Sequence, residues 1–108
     1  MSVNKITDIN KKHNQLFFKL CSDHLSIEAI PKTSLKIDFF KLKESPPAKY
    51  EIMMWTPRLV VLKNPKGQEI TLRRDGRMVI RKAESEPEAE RAAIEVMRLV
   101  ESNIVGQK

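Results

Sequence analysis

The stretch Gln68-Glu69-Ile70-Thr71-Leu72-Arg73-Arg74-Asp75-Gly76-Arg77-Met78-Val79-Ile80-Arg81-Lys82-Ala83 decides the fold of this chain. It reads as a strand, a tight turn and a second strand. An Asp-Gly pair between two strand-like runs is the strongest short-range signal for a β-hairpin, because a type I′ turn needs positive φ at both central residues. We therefore predict an antiparallel hairpin with Asp75 and Gly76 as its two-residue loop.

That loop fixes which residues of the hairpin share a face. The first face combines apolar residues with arginines: Ile70, Leu72, Arg74, Arg77, Val79 and Arg81. The second face carries the alternate residues: Glu69, Thr71, Arg73, Met78, Ile80 and Lys82. Because both faces mix apolar and basic residues, the period-two pattern alone leaves open which of them meets the core.

A helix follows the hairpin. Ser85-Glu86-Pro87-Glu88 has the form of a capping box, and Pro is tolerated in the first helical turn. We predict a helix over residues 85–103. Its apolar stripe, which would lie on the sheet, consists of Ala89, Ala92, Ala93, Val96, Met97 and Val100.

The N-terminal half carries weaker signals. Apolar residues spaced three and four apart predict a helix over residues 4–22, although Gln15–Leu20 can also be read as a short strand. An antiparallel sheet is predicted over about residues 25–83, with one strand ended by Pro31 and a turn at Asn64-Pro65-Lys66-Gly67. The expected fold class is α+β, a curved antiparallel sheet with helices on one face.

Length and composition favour one domain over residues 1–108, with 41% hydrophobic residues. No apolar run reaches the roughly 18 residues of a membrane span, and the N-terminus lacks a signal-peptide pattern, so we expect a cytoplasmic protein with no membrane partner. Cys21 is the only cysteine, and His13 and His24 lack ligand spacing. We therefore predict no catalytic residue, metal site, cofactor or small-molecule substrate.

Charge is unevenly distributed along the chain. The formal net charge is +6, of which residues 51–83 contribute +5, whereas residues 84–108 contribute −3. The predicted strands are therefore basic and the last helix is acidic. This asymmetry favours a surface that attracts polyanions, while a solvated lysine-rich surface remains the alternative interpretation.

The segment Asp75-Gly-Arg-Met-Val-Ile-Arg-Lys-Ala-Glu-Ser-Glu-Pro-Glu-Ala-Glu-Arg-Ala-Ala93 resembles one repeat of the TATA-box-binding protein family. The shared pattern is a Gly-Arg-Met-Val turn and strand, a Ser-Glu helix cap and an Ala-Ala-rich closing helix. Upstream, Val61-Leu62-Lys63-Asn64-Pro65-Lys66 is similar to the strand and Pro-Lys turn of that family. The resemblance covers about residues 51–103.

The resemblance implies a half-saddle, a curved antiparallel sheet with helices on its convex side, whose concave side contacts nucleic acid. It selects the first hairpin face as the concave one. Ile70, Leu72 and Val79 would contact the groove, and Arg74, Arg77 and Arg81 would contact phosphates. The second face, with Thr71, Met78 and Ile80, would then meet the closing helix. The family carries two repeats and this chain carries one, so a homodimer would rebuild the saddle.

Two functional hypotheses follow. The first is a small non-catalytic DNA- or RNA-binding module that acts as a homodimer and uses the basic, partly apolar concave face. The alternative is a protein-interaction or dimerisation domain of a larger complex with no nucleic-acid role. In that case Ile70, Leu72 and Val79 would form a patch that a protein partner buries.

Overall fold

The quoted hairpin lies inside a large antiparallel sheet. The structure is a computed structural model of the chain, and it describes residues 5–10, 14–20 and 26–107. The strands are β1 (Lys5–Asn10), β2 (Asn14–Leu20), β3 (Ser26–Pro31), β4 (Leu35–Ile37), β5 (Glu51–Trp55), β6 (Leu59–Lys63), β7 (Glu69–Arg73), β8 (Met78–Arg81) and β9 (Ile104–Gln107). The helices are α1 (Phe39–Glu44) and α2 (Glu86–Leu99), and a 3₁₀ turn spans Glu101–Asn103.

Within the described residues, the main sheet has seven strands in the order β1-β2-β3-β8-β7-β6-β5. All its neighbouring strands are antiparallel. A separate two-stranded sheet pairs β4 with β9. The α+β class and the antiparallel sheet predicted from the sequence are therefore confirmed. β5 lies at one edge of the main sheet and β7–β8 lie near its middle, where a hairpin is held by a neighbouring strand on each side.

One face of the main sheet carries the core. Alternate residues of the central strands are fully buried there, and α2 packs against β3 and β8. The predicted stripe of α2 lies within the same core cluster, so its orientation is confirmed. The buried strand residues are Leu16, Phe18, Ile27, Ala29, Val60, Leu62, Ile70, Leu72, Met78 and Ile80.

The predicted N-terminal helix over residues 4–22 is wrong. The described parts of that segment are the strands β1 and β2, so the alternative reading of residues 15–20 as a strand is confirmed. In β2, Leu16 and Phe18 are buried while Phe17 and Lys19 are exposed. Period-two burial of this kind comes from pairing with β3, and tertiary pairing outweighs a local three-and-four spacing. Cys21, His13 and His24 lie outside the described residues.

The predicted register of the hairpin is also wrong, by one residue. Across β7 and β8, Ile70 pairs with Ile80 and Leu72 pairs with Met78. The loop has three residues, 74–76: the Arg73 N–H donates to the Arg77 carbonyl at 2.8 Å, and the Gly76 N–H donates to the Arg73 carbonyl at 3.0 Å. Gly76 alone has positive φ there, at 95°. This is the pattern of a three-residue hairpin loop that ends in a left-handed glycine.

Other predicted boundaries are close to the observed ones. β3 ends at Pro31, and Gly67 takes a φ of 85° in the predicted turn. The segment 35–43, which alternates like a strand, is a short strand followed by α1. Asp38 caps that helix by accepting the Phe40 N–H at 3.0 Å. α2 begins as predicted, since the Ser85 hydroxyl accepts the Glu88 N–H at 3.3 Å, but it ends at Leu99 and not at residue 103.

Tyr50 joins the loop before β5 to α2. Its hydroxyl donates a hydrogen bond to Oε1 of Glu95. Burial raises the pKa of the Tyr50 phenol well above its ordinary value, and the hydrogen bond to the neighbouring carboxylate raises this pKa further. Because the pKa is higher in the folded state, this group contributes stability that is complete below the unfolded pKa of 10.0 and is lost as pH rises above it.

We expect an absorbance titration of Tyr50, the only tyrosine in the chain, to give a midpoint above that of free tyrosine. The Glu95→Gln variant removes the carboxylate but leaves the burial that is the largest cause of the shift. Its midpoint should therefore fall between the wild-type value and that of free tyrosine. A wild-type midpoint equal to that of free tyrosine would contradict the observed contact.

Candidate nucleic-acid interface

The main sheet has a second face, opposite α2, which we call the open face. Its side chains alternate with the buried ones and belong to β2, β3 and β5 to β8. None of the following is buried: Phe17, Lys19, Glu28, Ile30, Glu51, Met54, Val61, Lys63, Glu69, Thr71, Arg73, Arg77, Val79 and Arg81. The middle of the face is a row of half-buried residues in which Val79 pairs with Thr71 and Thr71 with Val61. The open face therefore combines an apolar centre with charged surroundings.

The charges on the open face are predominantly positive. Among the side chains named above, five are cations, which are Lys19, Lys63, Arg73, Arg77 and Arg81, and three are acids, which are Glu28, Glu51 and Glu69. Two of those acids already have cationic partners, since Glu28 Oε2 lies 4.0 Å from Arg77 Nη1 and Glu69 Oε2 lies 2.9 Å from Lys82 Nζ. The hydrogen bond from Lys82 holds the pKa of Glu69 below its usual value. Exposed pairs of this kind contribute little stability, so these cations remain accessible to an external anion.

Arginines concentrate at one end of the sheet. Arg58 precedes β6, Arg73 ends β7, Arg74 lies in the hairpin loop and Arg77 precedes β8. We call these four residues the arginine end. Arg58, Arg73 and Arg74 line one groove of about 330 Å³ together with Leu59 and Asp75. Asp75 is the one acid in this groove, and its Oδ2 lies 3.4 Å from Arg73 Nη2.

Backbone hydrogen bonds hold the arginine end in place. The Arg74 N–H donates to the Arg58 carbonyl at 3.0 Å, which joins the hairpin loop to the loop before β6. Thr56 closes that second loop, because its hydroxyl accepts the N–H of Leu59 at 2.9 Å and donates to the Leu59 carbonyl at 3.0 Å. The arginine side chains are exposed, whereas the backbone that carries them is fixed on both sides of the groove. A fixed backbone lowers the entropic cost of ordering such side chains around an anion.

The hairpin loop is also anchored from behind by β4. The N–H of Leu35 donates to the Asp75 carbonyl at 2.9 Å, and the N–H of Ile37 donates to the Arg74 carbonyl at 3.1 Å. Gly76 is buried against Leu35 and Pro31, so close that a Cβ at this position would lie 2.9 Å from Leu35 Cδ1. A glycine is thus required both by its backbone conformation and by this contact.

The structure separates the six predicted site residues into two groups. Ile70 and Leu72 are 0% exposed in the hydrophobic core, so their predicted exposure on the concave face is wrong. Val79 and Arg81 do lie on the open face, with Arg77 beside them, and Arg74 lies in the loop at its end. On the second face, Met78 and Ile80 are buried as predicted. Thr71, which was predicted to face the helix, and Arg73 lie on the open face.

Sequence reasoning missed several residues of the open face because a one-residue shift of register moves every side chain of one strand to the other side. The missed residues on the hairpin are Thr71 and Arg73, and neighbouring strands add Lys19, Val61 and Lys63. One signal was available. A three-residue loop places Ile70, Leu72, Met78 and Ile80 on the same face of the hairpin and makes the centre of that face apolar. A two-residue loop divides these four residues between the two faces.

Within residues 5–10, 14–20 and 26–107, no group of three or more His, Cys, Asp or Glu side chains is arranged to hold a metal ion. In the same part of the chain, no helix is long and apolar enough to span a membrane.

Comparison of the chain with models of protein families, with curated proteins and with solved structures finds no match.

Proposed function

We propose that the protein is a non-catalytic nucleic-acid-binding module that contacts DNA or RNA with its open face and its arginine end, and that it acts as a homodimer. In this proposal the guanidinium groups of Arg73, Arg74 and Arg77 bind phosphates. Val79 and Val61, in the apolar middle of the open face, lie against the sugar or base edges. Arginine suits this role because its planar, permanently charged guanidinium group can donate two parallel hydrogen bonds to one phosphate.

The observation that carries the proposal is the arginine end. Four arginines from consecutive segments of the sheet share one end of it, and three of them, Arg58, Arg73 and Arg74, line a groove with Asp75 as its acid. Like charges placed together destabilise a folded protein by mutual repulsion, and a bound polyanion removes that repulsion. Four of the six acids of residues 84–108 are carried by α2, on the other side of the sheet.

We also propose that the sheet is a half-saddle of the TATA-box-binding-protein type. Support comes from the way its faces are used: α2 covers one face, while the open face carries the basic side chains. The element order also agrees with the resemblance over residues 51–103, since strands β5 to β8 follow one another as a meander and α2 closes it. A sheet of this type would offer its open face to a nucleic-acid groove.

Replacing Arg73, Arg74 and Arg77 together by Ala should weaken nucleic-acid binding and also reduce its dependence on salt. Each phosphate contact that is lost lowers the slope of log K against log salt concentration by about 0.9 for duplex DNA, so three lost contacts lower it by about 2.7. Fluorescence anisotropy with labelled DNA and RNA at several salt concentrations measures both quantities. Stability should change little, because these arginines make only exposed ion pairs.

The matched control replaces Lys66, Arg91 and Arg98 by Ala, which removes the same charge from the side of α2. These residues are exposed, and Lys66 Nζ lies 3.8 Å from Glu88 Oε1 on that helix. Binding should fall less in this control than in the arginine-end variant. Equal losses in the two variants would show that net charge alone drives binding, and the proposed site would then be wrong.

The alternative function, a protein-interaction domain without nucleic-acid binding, no longer has its predicted patch, because Ile70 and Leu72 are buried. A different surface favours contact with protein. Three exposed apolar side chains, Phe40, Met53 and Met54, lie at or beside the edge strand β5. Self-association through that edge is compatible with nucleic-acid binding by the open face.

A further inference from the structure

The open face is organised in three rows of side chains that cross the strands. Side chains directly opposite one another on antiparallel neighbours lie on the same face, so the pairing of the strands defines each row. The middle row carries no charge between β5 and β8, and its members there are Met54, Val61, Thr71 and Val79. We call it the uncharged row. A charged row lies on each side of it, two residues and therefore about 7 Å further along the strands.

The charged row at the arginine end holds an excess of positive charge. Arg73 and Arg77 face each other in it, since the Arg73 N–H donates to the Arg77 carbonyl at 2.8 Å. Like charges that face each other across two strands destabilise a sheet. One acidic side chain lies within 4.0 Å of each of the two, while Arg58 and Arg74 add positive charge beside them. We call this the arginine row, and its charges are not balanced by the protein itself.

The charged row on the other side alternates in sign. From β5 to β8 each member pairs with the next, in the order Glu51, Lys63, Glu69 and Arg81. Lys82 follows β8, and its Nζ lies 2.9 Å from Glu69 Oε2. Because acids stand beside cations in this mixed row, it attracts a phosphate less than the arginine row does. Its carboxylates and cationic groups can instead accept from and donate to the polar edges of bases.

We propose that the open face binds one single strand of DNA or RNA, which runs across the strands of the sheet from β6 towards β8. This inference rests on the proposed function and narrows its ligand. The phosphates lie along the arginine row, the sugars and bases lie on the uncharged row, and the base edges reach the mixed row. Proteins that bind single strands combine positive charge along the backbone with a surface for the bases, and the three rows supply these parts in that order.

The charge distribution favours a single strand over a duplex groove. A groove presents a phosphate backbone on each side, so a sheet that spans it is best served by available cations on both sides of its centre. The open face offers them on one side, because Glu51 and Glu69 of the mixed row would face the second backbone. A single strand has one backbone, and its unpaired bases leave their edges free for contact with the mixed row.

The composition of the uncharged row determines the kind of affinity expected. Its methyl and thioether groups allow bases to pack, but without the stacking that an aromatic ring provides. Phosphate contacts should therefore supply most of the affinity. Binding by this face should tolerate many sequences and should weaken steeply as salt is added.

The first test compares single strands with duplexes by fluorescence anisotropy at equal salt. The probes are short labelled strands of mixed sequence, one of DNA and one of RNA, each alone and annealed to its complement. We expect the preferred single strand to bind about tenfold more tightly than its duplex, whose base edges are already paired, and the two arms show which sugar is preferred. Duplex binding as tight as single-strand binding in both arms would overturn this inference and leave the proposed function standing. The absence of binding to every probe would overturn both.

A second test locates the phosphates by means of two matched double variants. Arg73→Ala with Arg77→Ala removes two cations from the arginine row, and Lys63→Ala with Arg81→Ala removes two from the mixed row; none of the four side chains is buried. On a single strand each lost phosphate contact lowers the slope of log K against log salt concentration by about 0.7, so the first variant should lower it by about 1.4. The second should weaken binding with a slope close to that of the wild type. Equal changes of slope would place phosphates on both rows and contradict the single-strand arrangement.

Discussion

Replacing Leu72 by Ala should lower the free energy of unfolding by about 2–5 kcal/mol, because the side chain is fully buried and its removal leaves a cavity. Small domains have total stabilities of about 5–15 kcal/mol, so this single change would remove a large part of the total. Leu72 pairs with Met78, and both belong to the buried core cluster. Chemical denaturation with equal m-values measures the loss directly.

Two valine variants extend this measurement to a test of the register between β7 and β8. Val60→Ala changes a fully buried residue, and Val79→Ala changes a half-buried residue of the open face. With the observed three-residue loop, Val60→Ala should cost clearly more stability than Val79→Ala, although the atoms removed are the same. If the loop had two residues, Leu72 and Val79 would share a face and both would be buried together or exposed together. A Val79→Ala loss as large as that of Val60→Ala would contradict the structure.

Replacing Gly76 by Ala should also be strongly destabilising, for two separate reasons. Its φ of 95° is a conformation that residues with a Cβ avoid, at a cost of about 1–3 kcal/mol. In addition, the new Cβ would lie 2.9 Å from Leu35 Cδ1 and 3.0 Å from Pro31 Cγ, and overpacking of this kind costs about 1–3 kcal/mol more. Thermal unfolding of the variant measures the total.

Gly67→Ala is the matched control for that prediction. Gly67 has a similar φ of 85°, but a Cβ there would meet no atom within 4 Å. The control should therefore show the backbone cost alone, and the difference between the two variants should report the contact of the hairpin loop with Leu35 and Pro31. If both glycines cost the same, the loop is not in close contact with Leu35 and Pro31.

The sequence predicted the C-terminal half of the fold better than the N-terminal half. α2 has a cap at Ser85, a proline in its first turn and a continuous apolar stripe, and these local signals agree with its place on the sheet. By contrast, β2 contains Leu16, Phe17 and Leu20 at helical spacing as well as Leu16 and Phe18 at strand spacing. Pairing with β3 decides between them, and pairing is a long-range contact that a single sequence does not reveal.

Only part of the candidate site could be predicted from the sequence, because the rest depends on how β7 pairs with β8. Val79 and Arg81 are on one strand and Arg77 directly precedes it, so their common face follows from alternation alone. Their relation to Ile70 and Leu72 depends on the number of residues in the loop, and Asp75-Gly76 suits both a two-residue and a three-residue loop. The observed loop includes Arg74, which therefore faces neither neighbour across the hairpin and extends the basic surface beyond the end of the strands.

The position of α2 places a group of acidic side chains on the side of the sheet opposite the basic open face. Glu86, Glu88, Glu90 and Glu95 lie on this helix, on one side of the sheet, and the cations of the open face lie on the other. A molecule with this charge distribution is oriented by the field of a polyanion before contact, so that its acidic side lies away from the phosphates. We therefore expect low salt to raise the rate of association with nucleic acid, because weaker screening favours approach with the open face towards the phosphates. In the proposed binding mode, each acid of α2 would repel a misoriented approach, so the helix that packs on the core would also favour first contact through the open face.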